Sequence, residues 1–146
     1  MINEIRVREA TSKDLETVYV IDKQSFKDPY PLAFIEFLYN ADRKTFLVAE
    51  KDGMVVGYII ASPVKDLGHI IAIAINPSER RKNIGRTIMN AVLEILQSIG
   101  VTSVRLEVRL SNIEAQKFYE TIGFDRSYTI DNYYGEEDAL VYFKHF

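Results

Sequence analysis

The stretch His69-Ile70-Ile71-Ala72-Ile73-Ala74-Ile75-Asn76-Pro77-Ser78-Glu79-Arg80-Arg81-Lys82-Asn83-Ile84-Gly85-Arg86 decides the fold. Its first seven residues form a continuously apolar run of strand length, the kind buried on both faces of a sheet. Asn76-Pro77 stops the strand, and Arg80, Arg81, Lys82 and Arg86 then place four of the chain's 18 basic residues within seven positions. A helix follows with Ile88, Val92, Ile95, Leu96 and Ile99 facing inward, and it stops at Gly100, a good C′ residue. Cations are disfavoured at a helix start, which is already the positive end of the dipole. A solvated helix start would set like charge against like, whereas a bound polyanion resolves the conflict. The free backbone amides and the dipole attract it, and Gly85 allows a phosphate close to the backbone.

The choice of polyanion narrows by elimination. No Gly-x-x-x-x-Gly-Lys-Ser/Thr loop occurs, and a dinucleotide fingerprint needs three glycines where only Gly85 stands. Nucleic acid calls for basic and aromatic residues dispersed over a face, not one compact cluster. A pyrophosphate-bearing cofactor remains.

Working outward, residues 2–8 alternate around Ile5 and Val7 as a half-buried strand. Thr11 and Asp14 suit a capping box, after which Leu15, Val18, Asp22 and Phe26 share a helical face. Pro29 ends that helix, and Pro31 suits the first position of the next, with Leu32, Ile35, Leu38 and Tyr39 recurring. Thr45–Glu50 and Met54–Ser62 read as strands joined by Lys51-Asp52-Gly53, a hairpin signal, and a turn at Lys65–Gly68 leads into the apolar strand. Beyond Gly100 come a strand at Val101–Arg109, a capping box at Ser111-Asn112-Ile113-Glu114, and a helix through Tyr119 closed by Gly123. Two strands near 124–131 and 137–143 finish the chain. The order β-α-α-β-β-β-α-β-α-β-β predicts an α/β fold, a mixed central sheet of about seven strands flanked by about four helices.

With 146 residues and 47% hydrophobic content the chain reads as a single domain, residues 1–146, able to bury a core without staples. It has no cysteine, which removes disulfides, thiolate metal sites and a cysteine nucleophile. His69 and His145 are too few and too far apart for a metal site and read as structural. A net charge of −3 gives no reason to expect nucleic acid or an anionic membrane as partner. No apolar run approaches the ~18 residues of a membrane span, and the first residues do not resemble a secretory leader. A cytoplasmic protein is the expectation.

On strand 101–109, Val104, Leu106 and Val108 face one side, and Ser103, Arg105, Glu107 and Arg109 the other. Arg105 reads equally well as solvent-facing. Glu107 stands near the carboxyl end of a strand that leads into a capped helix, where open α/β sheets present their ligand crevices.

Ile73-Ala74-Ile75-Asn76-Pro77 followed by Arg80-Arg81-Lys82-Asn83-Ile84-Gly85-Arg86 resembles the acetyl-CoA signature of the GNAT superfamily of N-acetyltransferases, Gln/Arg-x-x-Gly-x-Gly/Ala. Asn83 replaces the first glycine. Asn tolerates left-handed backbone angles better than most side-chain-bearing residues. Leu106-Glu107-Val108-Arg109-Leu110-Ser111-Asn112, with Ala115, Phe118-Tyr119-Glu120 and Gly123-Phe124, is similar to the N-terminal (α-amino) acetyltransferase branch. Gly68-His69-Ile70 and Asn132-Tyr133-Tyr134 with Glu137-Asp138-Ala139-Leu140 match that branch too. The resemblance spans essentially the whole chain and is weakest before residue 45.

It implies acetyl-CoA as cofactor, with no metal. The implied cofactor-binding residues are Ile73, Ala74, Ile75, Arg80, Arg81, Lys82, Asn83, Ile84, Gly85, Arg86, Asn112 and Tyr119. It also implies Glu107 as general base, in contact with the peptide, and Tyr119 as the acid that protonates the leaving thiolate. Tyr30, Tyr133 and Tyr134 would wall the peptide groove, although each reads equally as a rim or core aromatic. Lys27-Asp28 departs from the family's loop and leaves the peptide preference open. The implied partners are protein N-termini, ribosomal or nascent chains among them, and the resemblance leaves an auxiliary subunit open. With no cysteine and no Gly-x-Ser-x-Gly elbow, direct attack in a ternary complex is expected. Two other readings stay open: acetylation of a small amine, for which Asp28, Glu36 or Glu136 would supply pocket acids, and a non-catalytic CoA-binding module.

Overall fold

The computed structural model describes residues 4–146. Strand β1 (Ile5–Glu9) is followed by helices α1 (Leu15–Ser25) and α2 (Leu32–Ala41), then strands β2 (Phe46–Lys51), β3 (Met54–Val64) and β4 (Leu67–Ile75). Helix α3 (Ile84–Ser98), strand β5 (Ser103–Arg109), helix α4 (Ile113–Thr121) and strands β6 (Asp125–Ile130) and β7 (Ala139–His145) complete the order. The seven strands form one sheet in the order β1-β2-β3-β4-β5-β7-β6. Every pairing is antiparallel except β4 with β5. The α/β fold with seven strands and four helices is the one the sequence predicts.

Each face of the sheet is covered by two helices. Val18, Ile21, Ile35 and Leu38 of α1 and α2 pack on Phe46, Val48, Tyr58, Ile60, Ala72 and Ala74. On the opposite face Ile88, Met89, Val92 and Leu96 of α3, with Tyr119 of α4, pack on Ile59, Ile70, Val104, Leu106 and Tyr142. Burying such side chains contributes about 1.5–3 kcal/mol each, so both layers hold the sheet firmly.

The functional geometry comes from a defect. Ile60 pairs with Ala72 but Ala61 pairs with Ile70, so Ile71 is an extra residue on β4. Such a bulge bends its strand and swaps the faces on either side of it. Accordingly Ile70 joins the α3 layer, whereas Ala72 and Ala74 join the α1–α2 layer. The parallel pairing of β4 with β5 covers only Leu67↔Ser103, Gly68↔Val104 and His69↔Arg105, and it ends beside that bulge. Beyond it the two strands splay apart and leave a wedge in the middle of the sheet.

Several local expectations need correcting. The strand expected from residue 2 begins at Ile5, and positions 2 and 3 lie outside the described residues. Phe26 and Ile99 were expected inward, but both fall at C-caps and are exposed, because each helix ends one residue before them. Pro31 is the N-cap of α2, not its first helical residue. The cap of α4 is Asn112, whose side chain accepts from the Ala115 amide at 3.1 Å, not Ser111. β4 is apolar throughout yet only half-buried at Ile71, Ile73 and Ile75, because the splayed side of the strand opens onto the wedge.

Candidate active site

The wedge is a cleft of about 930 Å³ running between the carboxyl halves of β4 and β5. Ile70 to Ile75 line one wall and Leu106 to Arg109 the other. The start of α3 closes one end, and Tyr30, Tyr133 and Tyr134 stand at the other.

The basic segment wraps the α3 end. Arg80, Arg81, Asn83, Ile84, Gly85 and Arg86 line the cleft, together with Ile73, Ala74 and Ile75 from β4. Asn83 takes φ 62° and ψ 15°, the left-handed conformation the sequence anticipates, and Arg81 takes φ 63° as well. Two left-handed residues just before a helix turn backbone amides to one side, a concavity suited to anions. Gly85 has a packing reason besides: a Cβ there would lie 3.2 Å from the Phe118 ring. Lys82 is absent from the lining and pairs with Glu79 at 3.2 Å. Arg80 Nε donates to the Ile75 carbonyl at 3.2 Å.

Glu107 lines the cleft with its side chain only 8% exposed. His69 Nε2 lies 2.7 Å from its Oε1, and the Tyr133 hydroxyl donates to the same oxygen at 3.3 Å. Arg105 Nε stands 3.0 Å from Oε2 as an ion pair without hydrogen-bond alignment. Burial alone would raise the pKa of this carboxyl. The His69 hydrogen bond, the His69 and Arg105 charges and the Tyr133 hydroxyl outweigh burial and hold it below the usual carboxylate range. Glu107 is therefore ionised at neutral pH, and His69 Nε2 must carry the proton of their shared bond. His69, read from the sequence as structural, thus reaches Glu107, and Arg105 faces Glu107 while its side chain stays 34% exposed.

Tyr119 reaches the cleft from the other face of the sheet. Its ring packs against Phe118, Phe124 and Tyr142 at centroid distances of 5.5, 6.0 and 6.2 Å, and it is 9% exposed. Burial pushes its phenol pKa up, so the hydroxyl keeps its proton. Phe118 beside it is partly buried against the same layer. Asn112 lines the cleft with its side-chain oxygen committed to the α4 cap, which leaves its NH₂ as the free donor.

Residues 12–124 match the acetyltransferase (GNAT) family. The chain belongs to that family. It is 36% identical to an uncharacterised N-acetyltransferase of Methanocaldococcus jannaschii over 94% of this chain and 90% of that one. An N-alpha-acetyltransferase of Sulfurisphaera tokodaii is 32% identical over 94% of this chain and 91% of its own. The structure of Ard1 from Thermoplasma volcanium superposes with a TM-score of 0.93 at 33% identity, covering 97% of each chain.

In this GNAT acetyltransferase two further residues organise the cleft mouth, and sequence reasoning assigned neither a role. Arg109, two positions beyond Glu107, donates to Asp28 Oδ2 at 2.7 Å and to Glu137 Oε1 at 3.0 Å, and its guanidinium lies 4.3 Å over the Tyr134 ring. One side chain thus ties the α1–α2 loop to the β6–β7 loop. Glu137 also accepts from the Ser111 side; its amide donates at 2.8 Å, and these bonds with Arg109 hold the carboxyl down to about 2. Asp22 is 1% exposed and accepts from the Tyr58 hydroxyl and, at 2.8 Å, from the Tyr30 amide. Burial raises its pKa against those two bonds. Asp22 thereby pins the loop that presents Tyr30.

Proposed function

We propose that this acetyltransferase moves the acetyl group of acetyl-CoA to the α-amino group of protein N-termini by direct attack in a ternary complex. The observation that carries the reading is that one cleft is lined by both the Glu107 carboxylate, held ionised, and the Tyr119 phenol, held protonated. A binding module needs neither group.

The residues present fit acetyl-CoA. The left-handed pair Arg81 and Asn83, the amides opening α3 and the Arg86 guanidinium suit its pyrophosphate. The splayed strand at Ile73, Ala74 and Ile75 and the Asn112 NH₂ suit the pantetheine arm. Bound acetyl-CoA supplies a thioester carbonyl. Glu107 takes the proton from the incoming ammonium, directly or through one water. Tyr119 holds the proton that the departing sulfur needs. Tyr30, Tyr133 and Tyr134 wall the path of the peptide.

The energetics favour α-amines. Freeing an α-amine of pKa about 7.7–8.0 at pH 7 costs about 1–1.4 kcal/mol, against about 4.6 kcal/mol for a lysine amine near 10.4. One ionised carboxylate suits the smaller task. A small polyamine is the poorer fit. Asp28 is largely exposed and tied to Arg109, and neither Glu36 nor Glu136 lines the cleft. The substrates are protein N-termini, ribosomal or nascent chains among them, met in the cytoplasm by a single acetyltransferase domain.

The test is tandem mass spectrometry of the products formed from acetyl-CoA with a library of N-terminal peptides, free polyamines serving as controls. Acetylation on the peptide α-nitrogen supports the reading. Turnover of polyamines alone contradicts it.

A further inference from the structure

Tyr30 is the first of three aromatic rings in a row. Its centroid lies 5.0 Å from that of Phe34, and Phe34 stacks on Phe37 at 6.0 Å with the planes 13° apart. The row leaves the cleft at Tyr30 and runs along the outer face of α2, whose inner face is filled by Ile35 and Leu38. Phe37 is 63% exposed and Phe34 is 37% exposed. The helix has Glu36 as its one charged residue, so it is apolar on both faces although only one is covered. A contiguous exposed apolar strip of this kind marks an interaction site.

Its size and its starting point select the occupant. Three aromatic side chains present at most about 150–250 Å² each. The strip therefore falls short of the ~800 Å² per partner of a stable protein–protein interface, and a second copy of the chain is not its match. A short extended segment is. The two ring-to-ring steps of 5.0 and 6.0 Å together equal the length of about three residues of extended chain at ~3.3 Å each. The row is also continuous with the cleft through Tyr30, the residue that Asp22 pins in place.

We infer that Tyr30, Phe34 and Phe37 form a docking track for the substrate polypeptide beyond its acetylated residue. The track spans about three residues of extended chain and selects substrates with apolar side chains just beyond the residues held in the cleft. It rests on the N-terminal acetylation reading and adds a substrate class to it: N-termini followed by a hydrophobic patch.

The test uses two ten-residue peptides with identical first three residues, one carrying Leu and the other Ser at positions four to six. kcat/KM is measured for the wild type, Phe34→Ser and Phe37→Ser. The wild type prefers the Leu peptide by about tenfold or more, through KM, and each substitution brings the ratio of the two efficiencies toward one. Equal efficiencies in the wild type, with both peptides acetylated, overturn the track and leave the N-terminal reading standing. Acetylation of neither peptide overturns both. A preference that survives both substitutions overturns the track, as does a dimer in sedimentation that Phe37→Ser abolishes.

Discussion

His69 Nε2 lies 2.7 Å from Glu107 Oε1, a contact between neighbouring strands that joins residues 38 apart in the chain. It is the hydrogen bond that most opposes the effect of burial on Glu107. A buried carboxylate that stays ionised is available as a base across the neutral range. The acid limb of the rate profile then belongs to the substrate amine.

The first prediction follows from that contact. His69→Ala removes the strongest group holding the Glu107 pKa down, so the pKa rises. The wild-type profile of kcat/KM against pH shows the α-amine ionisation, near 7.7–8.0, and no limb from Glu107 in the weakly acid range. The variant acquires that limb. The folded state should respond with the same sign. A depressed carboxyl stabilises the fold above its unfolded pKa, about 4.3, and that contribution is lost as pH falls through the folded value. His69→Ala diminishes it, so thermal unfolding of the variant changes less between pH 6 and acid pH. A profile superposable on that of the wild type would contradict the assignment.

The second concerns the basic segment. Arg81 and Arg86 line the cleft and make no ion pair among the described residues, unlike Lys82. Arg81→Ala with Arg86→Ala should weaken acetyl-CoA binding strongly and flatten its dependence on salt, since charge-assisted bonds to phosphate are lost. Calorimetry on the folded double variant checks both. Unchanged affinity would move the pyrophosphate elsewhere.

The third concerns the clamp at the cleft mouth. Arg109→Met removes the bonds to Asp28 and Glu137 while keeping bulk over Tyr134. It should loosen the α1–α2 and β6–β7 loops, raising KM for peptide by about tenfold and leaving acetyl-CoA affinity as it is. Steady-state kinetics with each substrate varied in turn separates the two. Equal losses for peptide and acetyl-CoA would mean that Arg109 supports the whole cleft and not its peptide end.

The order of strands and helices was legible because periodicity and caps are local. The alternation of Val104, Leu106 and Val108 against Arg105 and Glu107 appears unchanged in the burial of β5. Left-handed Asn83 was legible from residue type. His69 was not, since its value depends on a parallel pairing with Arg105 that no local pattern announces. Arg109 bridges to Asp28, 81 residues away, and to Glu137, 28 residues away, so its clamp exists only in three dimensions. The bulge at Ile71 hid for a different reason: in an all-apolar run, a change of face leaves the pattern of residue types unaltered.

The central claim is that Glu107 acts as base for an α-amine, and it is tested most directly on one peptide that carries both a free N-terminus and an internal lysine. The measurement is the rate and position of acetylation, by tandem mass spectrometry, for the wild type, Glu107→Gln and Tyr119→Phe at pH 6.5 and pH 9. The account predicts acetyl on the α-nitrogen. Glu107→Gln should be slower by about 10²–10⁴ at the lower pH, and the gap should narrow at the higher, where solvent supplies the neutral amine. The Tyr119→Phe deficit should persist at both. Wild-type turnover by Glu107→Gln at pH 6.5, or acetyl found on the lysine instead of the N-terminus, would contradict it.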